Sequence, residues 1–350
     1  MIKNTMPDLT GMTYRLHEPP GLLVHHENPA IESVVKRHDT WLRSNLGPIF
    51  SSAEELDFHA KQVISRWVCY VFPSISEQAA CNLAHYTSMW QLLDDWVAWR
   101  TDLHQDATKA QRIGERLQRV IQGEQPNPNE PIEKHFAHAW QQVVAGGAPG
   151  PVEVATEKML GYIDYSFTVE TQRHRDYDSM TLEEFTEHSR IHIGVEPWIQ
   201  IAEVTLGIDL GDELRTSPKM RELWDAVSEA TRWVEDISSF RKEYFSGDRG
   251  NIVLMLMRNE GYSLQDAIDR TYELYADAEA RFVRLRDEML AGPHGSRPEL
   301  HTYLHEIGHE ASGMWMYGYV SPRYHGRDYV WNGKTSGVLT LWPDRTDFPA

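Results

Sequence analysis

Long stretches of this chain repeat apolar residues at positions i, i+3, i+4 and i+7, the spacing that places one apolar stripe along an α-helix. Hardly any stretch alternates apolar and polar residues with period two, which is the spacing typical of strands. The repeats predict helices near 31–46, 54–71, 77–100, 108–122, 131–145, 152–174, 181–205, 218–245, 263–290 and 299–318. The predicted fold class is therefore all-α.

Short Pro-, Gly- and Asp-containing segments separate the predicted helices. Thr181 lies three residues before Glu184, the spacing of a capping box at the start of a helix. No internal repeat and no shift in composition marks a domain boundary, so we expect one helical domain over residues 26–325. The two ends, 1–25 and 326–350, are expected to be irregular.

The charge balance of the chain limits the partners it can have. Its 350 residues carry 34 Lys and Arg against 52 Asp and Glu, a formal net charge of −18. This argues against a nucleic-acid partner, because a protein that neutralises phosphates needs a basic face. Polyanionic partners are disfavoured unless a metal ion bridges them.

The same composition gives expectations about location. The longest apolar run, Ile252 to Met257, is far shorter than the roughly 20 residues of a membrane helix, so no membrane span is expected. Met1 to Thr10 lack the apolar core of a secretory signal, and we expect a cytoplasmic protein. Cys69 and Cys81 are isolated in sequence, which fits a reducing compartment and two buried thiols.

Two groups of oxygen-bearing side chains stand on predicted helices. Asp94 and Asp95 end an apolar helix, where an unpaired carboxylate needs a metal ion, an Arg or water. Glu235, Ser239 and Glu243 follow one another at i, i+4 and i+8, which places three oxygen side chains on one helix face. Carboxylate and hydroxyl oxygens are ligands that Mg²⁺ accepts. Taken alone, each group is equally well interpreted as a solvated acidic helix face.

Taken together and in order, these motifs resemble class I terpene synthases of the bacterial type, over nearly the whole chain. Asp94-Asp95 is similar to the start of that family's aspartate-rich motif, and E-D-I-S-S-F-R-K-E at 235–243 is similar to its metal triad N-D-x-x-S-x-x-x-E. Arg190-Ile191-His192-Ile193-Gly194 resembles the diphosphate-sensing Arg with its linker and effector positions, on a helix that breaks in mid-course. Ser321-Pro322-Arg323-Tyr324 resembles the Arg-Tyr pair that closes over the diphosphate.

A proline supports the expected break in that helix. Pro197 has no N–H, so the carbonyl of Ile193 loses its helical donor next to the flexible Gly194. The helix should therefore open at residues 193–194.

The resemblance implies a single bundle of helices around a deep apolar cavity whose mouth binds three Mg²⁺ ions and an isoprenoid diphosphate. The implied activity is that of a terpene cyclase, a lyase that ionises the diphosphate and cyclises the carbocation. The implied metal ligands are Asp94, Asp95, Glu235, Ser239 and Glu243. The implied diphosphate-binding residues are Arg190, Lys242, Arg323 and Tyr324. The implied catalytic residues are Arg190, Ile193 and Gly194, with Trp198 and Trp315 facing the carbocation.

The chain departs from the family pattern at both acidic motifs. Position 235 is Glu where bacterial members carry Asn, which adds a charge to a metal ligand. The third acid of the first motif is missing, since Ala98 and Trp99 stand where it is expected. We therefore expect Asp94 to be a ligand, and Asp95 to be a ligand or a group that orients one.

Substrate length and assembly are less constrained by the sequence. Small residues on the last long helix, Gly308, Ser312 and Gly313, would leave room for a long chain, so the sequence slightly favours geranylgeranyl over farnesyl diphosphate. An antiparallel homodimer is common in the resembled family, but no surface stripe in this sequence decides whether one forms.

Three alternatives remain open. His305-Glu306-Ile307-Gly308-His309 is a complete HExxH motif, in which two His bind zinc and the Glu is the general base of a metalloprotease. The extended signature is absent, because Ser312 replaces its Gly, and a third ligand is not evident. A chain-elongating prenyl transferase would need a second aspartate-rich motif. A non-catalytic helical scaffold would need none of these residues in this order.

Overall fold

The structure, a computed structural model, describes residues 7–99, 106–169 and 177–347, with the backbone alone at 96–99 and 169. Helices make up most of it, which confirms the all-α prediction. In chain order they are α1 (Ile31–Asn45), α2 (Ala53–Lys61), α3 (Ile64–Val71), α4 (Glu77–Trp99), α5 (Ala107–Ile121), α6 (Pro131–Val144), α7 (Pro149–Asp164), α8 (Leu182–His192), α9 (Val195–Leu206), α10 (Asp212–Arg215), α11 (Pro218–Ser246), α12 (Ile252–Asn259), α13 (Leu264–Leu290), α14 (Pro298–Ile307), α15 (His309–Val320) and α16 (Pro322–His325). A 3₁₀ turn covers Gly47–Ile49, and a π-helical turn, Tyr165–Val169, follows α7.

The helix starts follow from capping chemistry. The predicted capping box is confirmed, because Thr181 and Glu184 exchange side-chain and backbone hydrogen bonds at the start of α8. Ser217 and Ser263 accept hydrogen bonds from backbone N–H groups in the first turns of α11 and α13. The two longest described helices therefore begin at residues that satisfy their free N–H groups.

Three helices predicted as continuous are broken. The predicted 181–205 helix ends at His192 and resumes at Val195, as expected from Pro197, with Gly194 at φ +68° between them. The predicted 54–71 helix is interrupted at Val63, a non-glycine residue at φ 48° that carries no turn signal in the sequence. The third break, at Gly308, separates α14 from α15. Residues 100 and 170–174, expected to be helical, lie outside the described part of the chain.

The two ends of the chain are not wholly irregular, which corrects the expectation for 1–25 and 326–350. Strands β1 (Thr13–Leu16), β2 (Gly337–Leu341) and β3 (Thr346–Asp347) form an antiparallel sheet in the order β1-β2-β3. Tyr14 lies opposite Leu339 in the register, and its side chain is buried. Four residues are too few for a period-two pattern to be recognised, so the sequence did not indicate this sheet.

Helix α11 lies at the centre of the bundle and packs against α13 and α15. Most of its side chains are buried, among them Trp233 and Phe240, which are fully enclosed. Helix α15 in turn packs closely on α3, where a Cβ on Gly313 would lie 2.7 Å from the backbone carbonyl of Tyr70. Both cysteines are buried and free, as predicted. Among the described residues, no helix is long and apolar enough to cross a membrane.

Candidate active site

A cavity of about 230 Å³ lies within the bundle, and its lining has two chemical parts. Most of the charged lining side chains come from α4, α11 and α16, and Asp248 follows α11: they are Asp94, Arg232, Glu235, Lys242, Glu243, Asp248 and Arg323. Aromatic side chains line the apolar part: Trp67, Trp90, Tyr162, Phe167, Trp198 and Tyr317. One space can therefore hold a charged group at one place and a hydrocarbon at another.

On the α4 wall, the paired aspartates face two cations. A carboxylate oxygen of Asp95 lies 2.7 Å from Nη1 of Arg323, and the other lies 3.4 Å from Nζ of Lys242. Asp94 lies 3.5 Å from Arg323, and its side chain is 61% exposed. Burial would raise the pKa of Asp95, but Arg323 and Lys242 outweigh it and hold that pKa well below its usual range. Asp95 therefore holds the two cations in place, and Asp94 is the freer carboxylate.

On the α11 wall, carboxylates are crowded together. Oxygens of Glu235, Asp236 and Glu243 all lie within 4.8 Å of one another. The hydroxyl of Ser239, fully buried on the same face, donates to Glu235 at 3.3 Å. Burial, together with the charges of Glu235 and Asp248, raises the pKa of Glu243 to about 8. Such crowding is relieved by a bound cation, and the oxygen donors fit a hard ion such as Mg²⁺.

The second residue of the α11 motif has a structural partner. One oxygen of Asp236 accepts a hydrogen bond of 2.8 Å from the backbone N–H of Ile252 at the start of α12, and the other lies 2.8 Å from Nη2 of Arg232. Burial raises the pKa of Asp236 to about 7. Asp236 is thus tied into the protein. Of the predicted ligands on α11, Glu235 and Glu243 line the cavity, whereas Ser239 is buried behind them and hydrogen-bonded to Glu235.

Two residues in the site were missed by the sequence analysis. Asn251 donates 2.8 Å hydrogen bonds both to Oε2 of Glu243 and to the carbonyl of Asp236. Arg232 lines the cavity and is 2% exposed, and it donates to His192 and to the carbonyl of Gly250. Asn before an apolar run is an N-cap signal that could have identified Asn251. Arg232 has a signal only in its position three residues before Glu235, on the same helix face.

Arg190, expected at the diphosphate, does not line the cavity. Its guanidinium lies 2.6 Å from Glu229 and 3.9 Å from Asp225, both on α11. Glu229 also binds Arg281 of α13 at 2.7 Å, so Arg190 belongs to an ion-pair network between helices. The break after α8 brings His192 and Ile193 to the cavity instead.

The turn at Gly194 lies directly against the cavity lining. A Cβ on Gly194 would lie 2.4 Å from Cζ of Tyr162, and the residue has φ +68°. Ile193 and Val195, on either side, both line the cavity. Only glycine combines this backbone conformation with such a close approach.

Of the two tryptophans expected to face the carbocation, one lines the cavity. Trp198 does, and its ring lies 5.8 Å from that of Trp67 in an edge-to-face arrangement. The prediction for Trp315 is wrong, because its ring stacks on Tyr272 at 5.3 Å, away from the cavity. Successive helix residues point about 100° apart, and α15 presents Met314 and Tyr317 to the cavity instead.

The small residues that suggested a long substrate also lie elsewhere. Gly308, Ser312 and Gly313 are not among the cavity-lining residues. Gly313 serves the close packing of α15 on α3, and a Cβ on Gly308 would meet Phe282 of α13 at 3.3 Å. The physical reason for preferring geranylgeranyl diphosphate is therefore removed.

The HExxH motif does not form the site of a metalloprotease. Glu306 accepts a hydrogen bond of 3.2 Å from the backbone N–H of Ser74 and is fully buried. It does not line the pocket that His305 and His309 share. A general base that lies outside this pocket cannot activate a water bound there.

Comparisons with known proteins agree with this geometry. The sequence model of terpene synthase family 2, C-terminal metal binding, matches residues 85–281. Microbial terpene synthase-like protein 13 of Selaginella moellendorffii is 26% identical over 314 residues, which are 89% of this chain and 86% of that protein. A 7-epi-alpha-eudesmol synthase of Streptomyces viridochromogenes, named as farnesyl diphosphate cyclizing, is 26% identical over 153 residues, 42% of this chain and 44% of that protein.

A solved structure shows the same fold. Germacradien-4-ol synthase from Streptomyces citricolor superposes with a TM-score of 0.73 at 18% identity, over 86% of this chain and 98% of that one. The family match spans more than half of the chain and contains both acidic motifs. The chain accordingly belongs to terpene synthase family 2 and is an enzyme with the class I terpene synthase fold, a lyase that acts on prenyl diphosphates.

Proposed function

We propose that this terpene synthase is a Mg²⁺-dependent cyclase of farnesyl diphosphate. The observation that carries the proposal is the two-part cavity, in which Glu235 and Glu243 face the same space as Asp94, Lys242 and Arg323, beside an aromatic pocket. An anionic headgroup and an apolar chain need these two surroundings side by side. Neither a protease nor a scaffold accounts for that combination.

The metal would be held by oxygen ligands from two helices. Asp94 on α4 and Glu235, Ser239 and Glu243 on α11 are the ligands we propose, with three Mg²⁺ ions as the expected count. When bound, Mg²⁺ ions neutralise the diphosphate and stabilise it as a leaving group. Asn251 orients Glu243 through its 2.8 Å hydrogen bond.

The diphosphate would be bound by Arg323 and Lys242, the two side chains that pair with Asp95. Arg323 presents a planar fork that suits bidentate contact with a phosphate, and Lys242 adds a point charge. Tyr324, which lines the cavity beside them, offers a hydroxyl donor. Asp95 keeps Arg323 and Lys242 at the mouth of the cavity before substrate arrives.

Catalysis then depends on charge and on exclusion of water. The allylic C–O bond breaks and its electron pair leaves with the diphosphate, where Arg323 and Lys242 stabilise the negative charge. The allylic cation is surrounded by the rings of Trp67, Trp90 and Trp198, which stabilise it through their π faces and keep water out. A double bond further along the chain attacks the cation to close a ring, and proton loss or water capture ends the reaction.

The preference for the fifteen-carbon substrate rests on the lining. Large aromatic side chains occupy the apolar part of a cavity of about 230 Å³, and the small residues of α15 do not enlarge it. The related Streptomyces viridochromogenes enzyme, named as farnesyl diphosphate cyclizing, supports the same choice. A shorter chain fills such a space without displacing a ring.

The test is product analysis with three substrates. Purified protein is incubated with geranyl, farnesyl and geranylgeranyl diphosphates, each with Mg²⁺ or with EDTA, and products are identified by gas chromatography and mass spectrometry. We expect a cyclic fifteen-carbon product from farnesyl diphosphate, with Mg²⁺ only. A twenty-carbon product as the main one would overturn the substrate proposal. No product from any of them, with folded protein, would overturn the proposed activity.

A further inference from the structure

Three histidines from two separate parts of the chain meet on the outside of the bundle. His305 and His309 stand one turn apart at the junction of α14 and α15. His26 comes from the segment between β1 and α1, and lines the same pocket, of about 200 Å³, as the other two. His26 and His305 are exposed, whereas His309 is 4% exposed. None of the three lines the active-site cavity.

We propose that His26, His305 and His309 bind a single transition-metal ion of the Zn²⁺ class. Imidazole nitrogen is a ligand that Zn²⁺, Ni²⁺ and Cu²⁺ accept, whereas Mg²⁺ prefers oxygen. The site is therefore chemically distinct from the carboxylates of α11. His26 is the third ligand that the HExxH motif lacked in the sequence.

The spacing of the rings matches a shared metal. The ring centroids are 4.9 Å apart for His305 and His309, 5.1 Å for His26 and His309, and 6.0 Å for His26 and His305. With a Zn–N bond of about 2.05 Å, and roughly 1.1 Å more to the ring centre, tetrahedral imidazoles would have centroids about 5.2 Å apart. The observed distances bracket that value.

The buried histidine adds a second, independent observation. Neither Nδ1 nor Nε2 of His309 has a hydrogen-bond partner, although the side chain is almost wholly buried in the wall of this pocket. A buried polar nitrogen without a partner is costly, and a metal ion would satisfy it. Glu306 and Glu310, the adjacent acids, are not part of this pocket.

Some rearrangement accompanies binding. The nitrogens of these three described rings do not all lie within 4.8 Å of one another, so at least one ring must rotate. His26 has room for this, because it is exposed and lies outside helix and strand. Arg286 lines the same pocket, but its guanidinium is paired with Asp287 at 2.8 Å, which offsets its repulsion of a cation.

The consequence of binding would be a crosslink. The segment that carries His26 is already held on both sides of it. The backbone N–H of Leu23 donates to Glu279 at 3.0 Å, and the buried Asn28 donates 2.8 Å hydrogen bonds to the carbonyls of Cys69 and Ile75. A metal ion that joins His26 to α14 and α15 would add a link between these two anchors. Ligands that bind only the folded state stabilise it.

The experiment is a zinc competition titration with tag-free, full-length protein in the presence of excess Mg²⁺. Zn²⁺ is shared between the protein and a chromophoric chelator, for wild type and for His26→Ala, His305→Ala and His309→Gln. His301→Ala is the matched control, because His301 is exposed on α14 and binds the carbonyl of Gly295 instead. Co²⁺ replaces Zn²⁺ in parallel, and its visible absorption reports tetrahedral coordination.

We expect one Zn²⁺ per chain in wild type and in His301→Ala, with affinity lowered about tenfold or more in each of the other variants. A tetrahedral Co²⁺ spectrum should appear in wild type and be lost in His26→Ala. Equal zinc binding by wild type and His26→Ala, or no zinc binding by wild type, would overturn the proposal. If His309→Gln does not fold, zinc binding by His26→Ala and His305→Ala still tests the proposal. Because the experiment measures metal binding, an absence of zinc binding says nothing about whether the protein makes a terpene.

Discussion

Single residues in this enzyme are positioned by partners that lie outside the recognised motifs. Glu243 is oriented by Asn251, and Arg323 by Asp95. The motif residues on α4, α11 and α16 could be assigned to one site from their order in the sequence. The partners could not, because a hydrogen bond between α11 and the start of α12 depends on how the chain turns between them. Arg190 shows the reverse case, where Glu229 holds a motif residue away from the cavity.

The role of Asn251 can be tested by substitution. Asn251→Ala removes the donors to Glu243 and to the carbonyl of Asp236, and the N-cap of α12. We expect the free energy of unfolding to fall by about 1–3 kcal/mol. We also expect the affinity for Mg²⁺ to fall roughly 10- to 100-fold, because the group that orients Glu243 is lost. Mg²⁺ titrations of activity and chemical denaturation measure the two effects.

Asn259→Ala is the matched control for that variant. Asn259 lies at the other end of α12 and donates to the carbonyls of Tyr177 and Met180 at 2.9 Å. Its loss should lower stability and leave the Mg²⁺ dependence unchanged. Equal Mg²⁺ affinity in Asn251→Ala and wild type would contradict the assigned role.

The crowded carboxylates also predict a pH dependence of metal binding. Because the pKa of Glu243 is raised to about 8, this carboxyl holds a proton at pH 7 that Mg²⁺ must displace. Mg²⁺ affinity should therefore rise as the pH increases through about 8, and proton release on binding should be larger at pH 7 than at pH 9. Calorimetric titrations in buffers of different ionisation enthalpy measure this release. The same affinity and the same release at both pH values would contradict the crowding argument.

The same shift fixes the sign of a stability effect without metal. A carboxyl whose pKa is raised on folding binds a proton in the folded state that the unfolded chain has lost. Protonated Glu243 therefore favours the folded state relative to ionised Glu243. This contribution to the free energy of unfolding is fully present below pH 4.5, the pKa in the unfolded chain, and is lost as the pH rises through about 8, the pKa in the folded protein.

At the scale of helices, the features that could be predicted are those with a backbone cause. The break between α8 and α9 follows from Pro197 and Gly194, since one lacks an N–H and the other tolerates φ +68°. The break at Val63, a non-glycine residue at φ 48°, has no such cause in the sequence. The orientation of α15 about its axis, which places Trp315 away from the cavity, could not be predicted from the sequence either. A helix that is buried nearly all round has no polar face to indicate which side faces the core.

The Gly194 turn gives a prediction at this scale. In Gly194→Ala, the new Cβ would meet Tyr162 at 2.4 Å and push its ring in the cavity lining. We expect a loss of about 2–4 kcal/mol, from the left-handed backbone and the overlap together, and an altered product mixture. Thermal denaturation and product analysis measure these effects.

Gly207→Ala separates the two causes. Gly207 has φ +67°, nearly the same conformation, but a Cβ there would meet nothing within 4 Å. Gly207→Ala should lower the free energy of unfolding only by the cost of a Cβ on a left-handed backbone, and it should keep the wild-type product mixture. If Gly194→Ala and Gly207→Ala behave alike, the contact with Tyr162 does not shape the cavity.

At the scale of the whole molecule, the two ends of the chain are joined next to the site. The β1-β2 pairing brings Tyr14 against Phe240 of α11, with ring centroids 6.0 Å apart. Arg241 donates 2.7 Å and 2.9 Å hydrogen bonds to the carbonyls of Tyr324 and Pro343. Arg241, which lies in the sequence between the proposed ligand Ser239 and the cavity-lining Lys242, thus anchors the C-terminal segment. Contacts between residues far apart in the sequence leave no periodic pattern, so this attachment of the N- and C-terminal segments to α11 was not predicted.

Arg241→Met tests the attachment of the C-terminal segment to α11. It keeps much of the side-chain volume but removes both hydrogen bonds, and the carbonyl of the buried Tyr324 loses the Arg241 donor. We expect a loss of about 2–4 kcal/mol and lower activity, because Tyr324 and Arg323 lose their support. Arg249→Met is the control, since Arg249 makes an exposed ion pair with Asp178 and should change stability little. Similar unfolding midpoints for the two variants would contradict the role of Arg241 in attaching the C-terminal segment.

The central claim is that the α11 carboxylates direct ionisation of the substrate. Its most direct test is the rate of Mg²⁺-dependent diphosphate release from farnesyl diphosphate by wild type, Glu243→Gln and the exposed control Glu260→Gln. We predict a loss of about a hundredfold or more in Glu243→Gln and wild-type rates in Glu260→Gln, whose side chain is exposed. Glu243→Gln should unfold at or above the wild-type temperature, because an amide stays neutral where burial and the neighbouring charges disfavour an ionised Glu243. Diphosphate release by Glu243→Gln at the wild-type rate would contradict the claim.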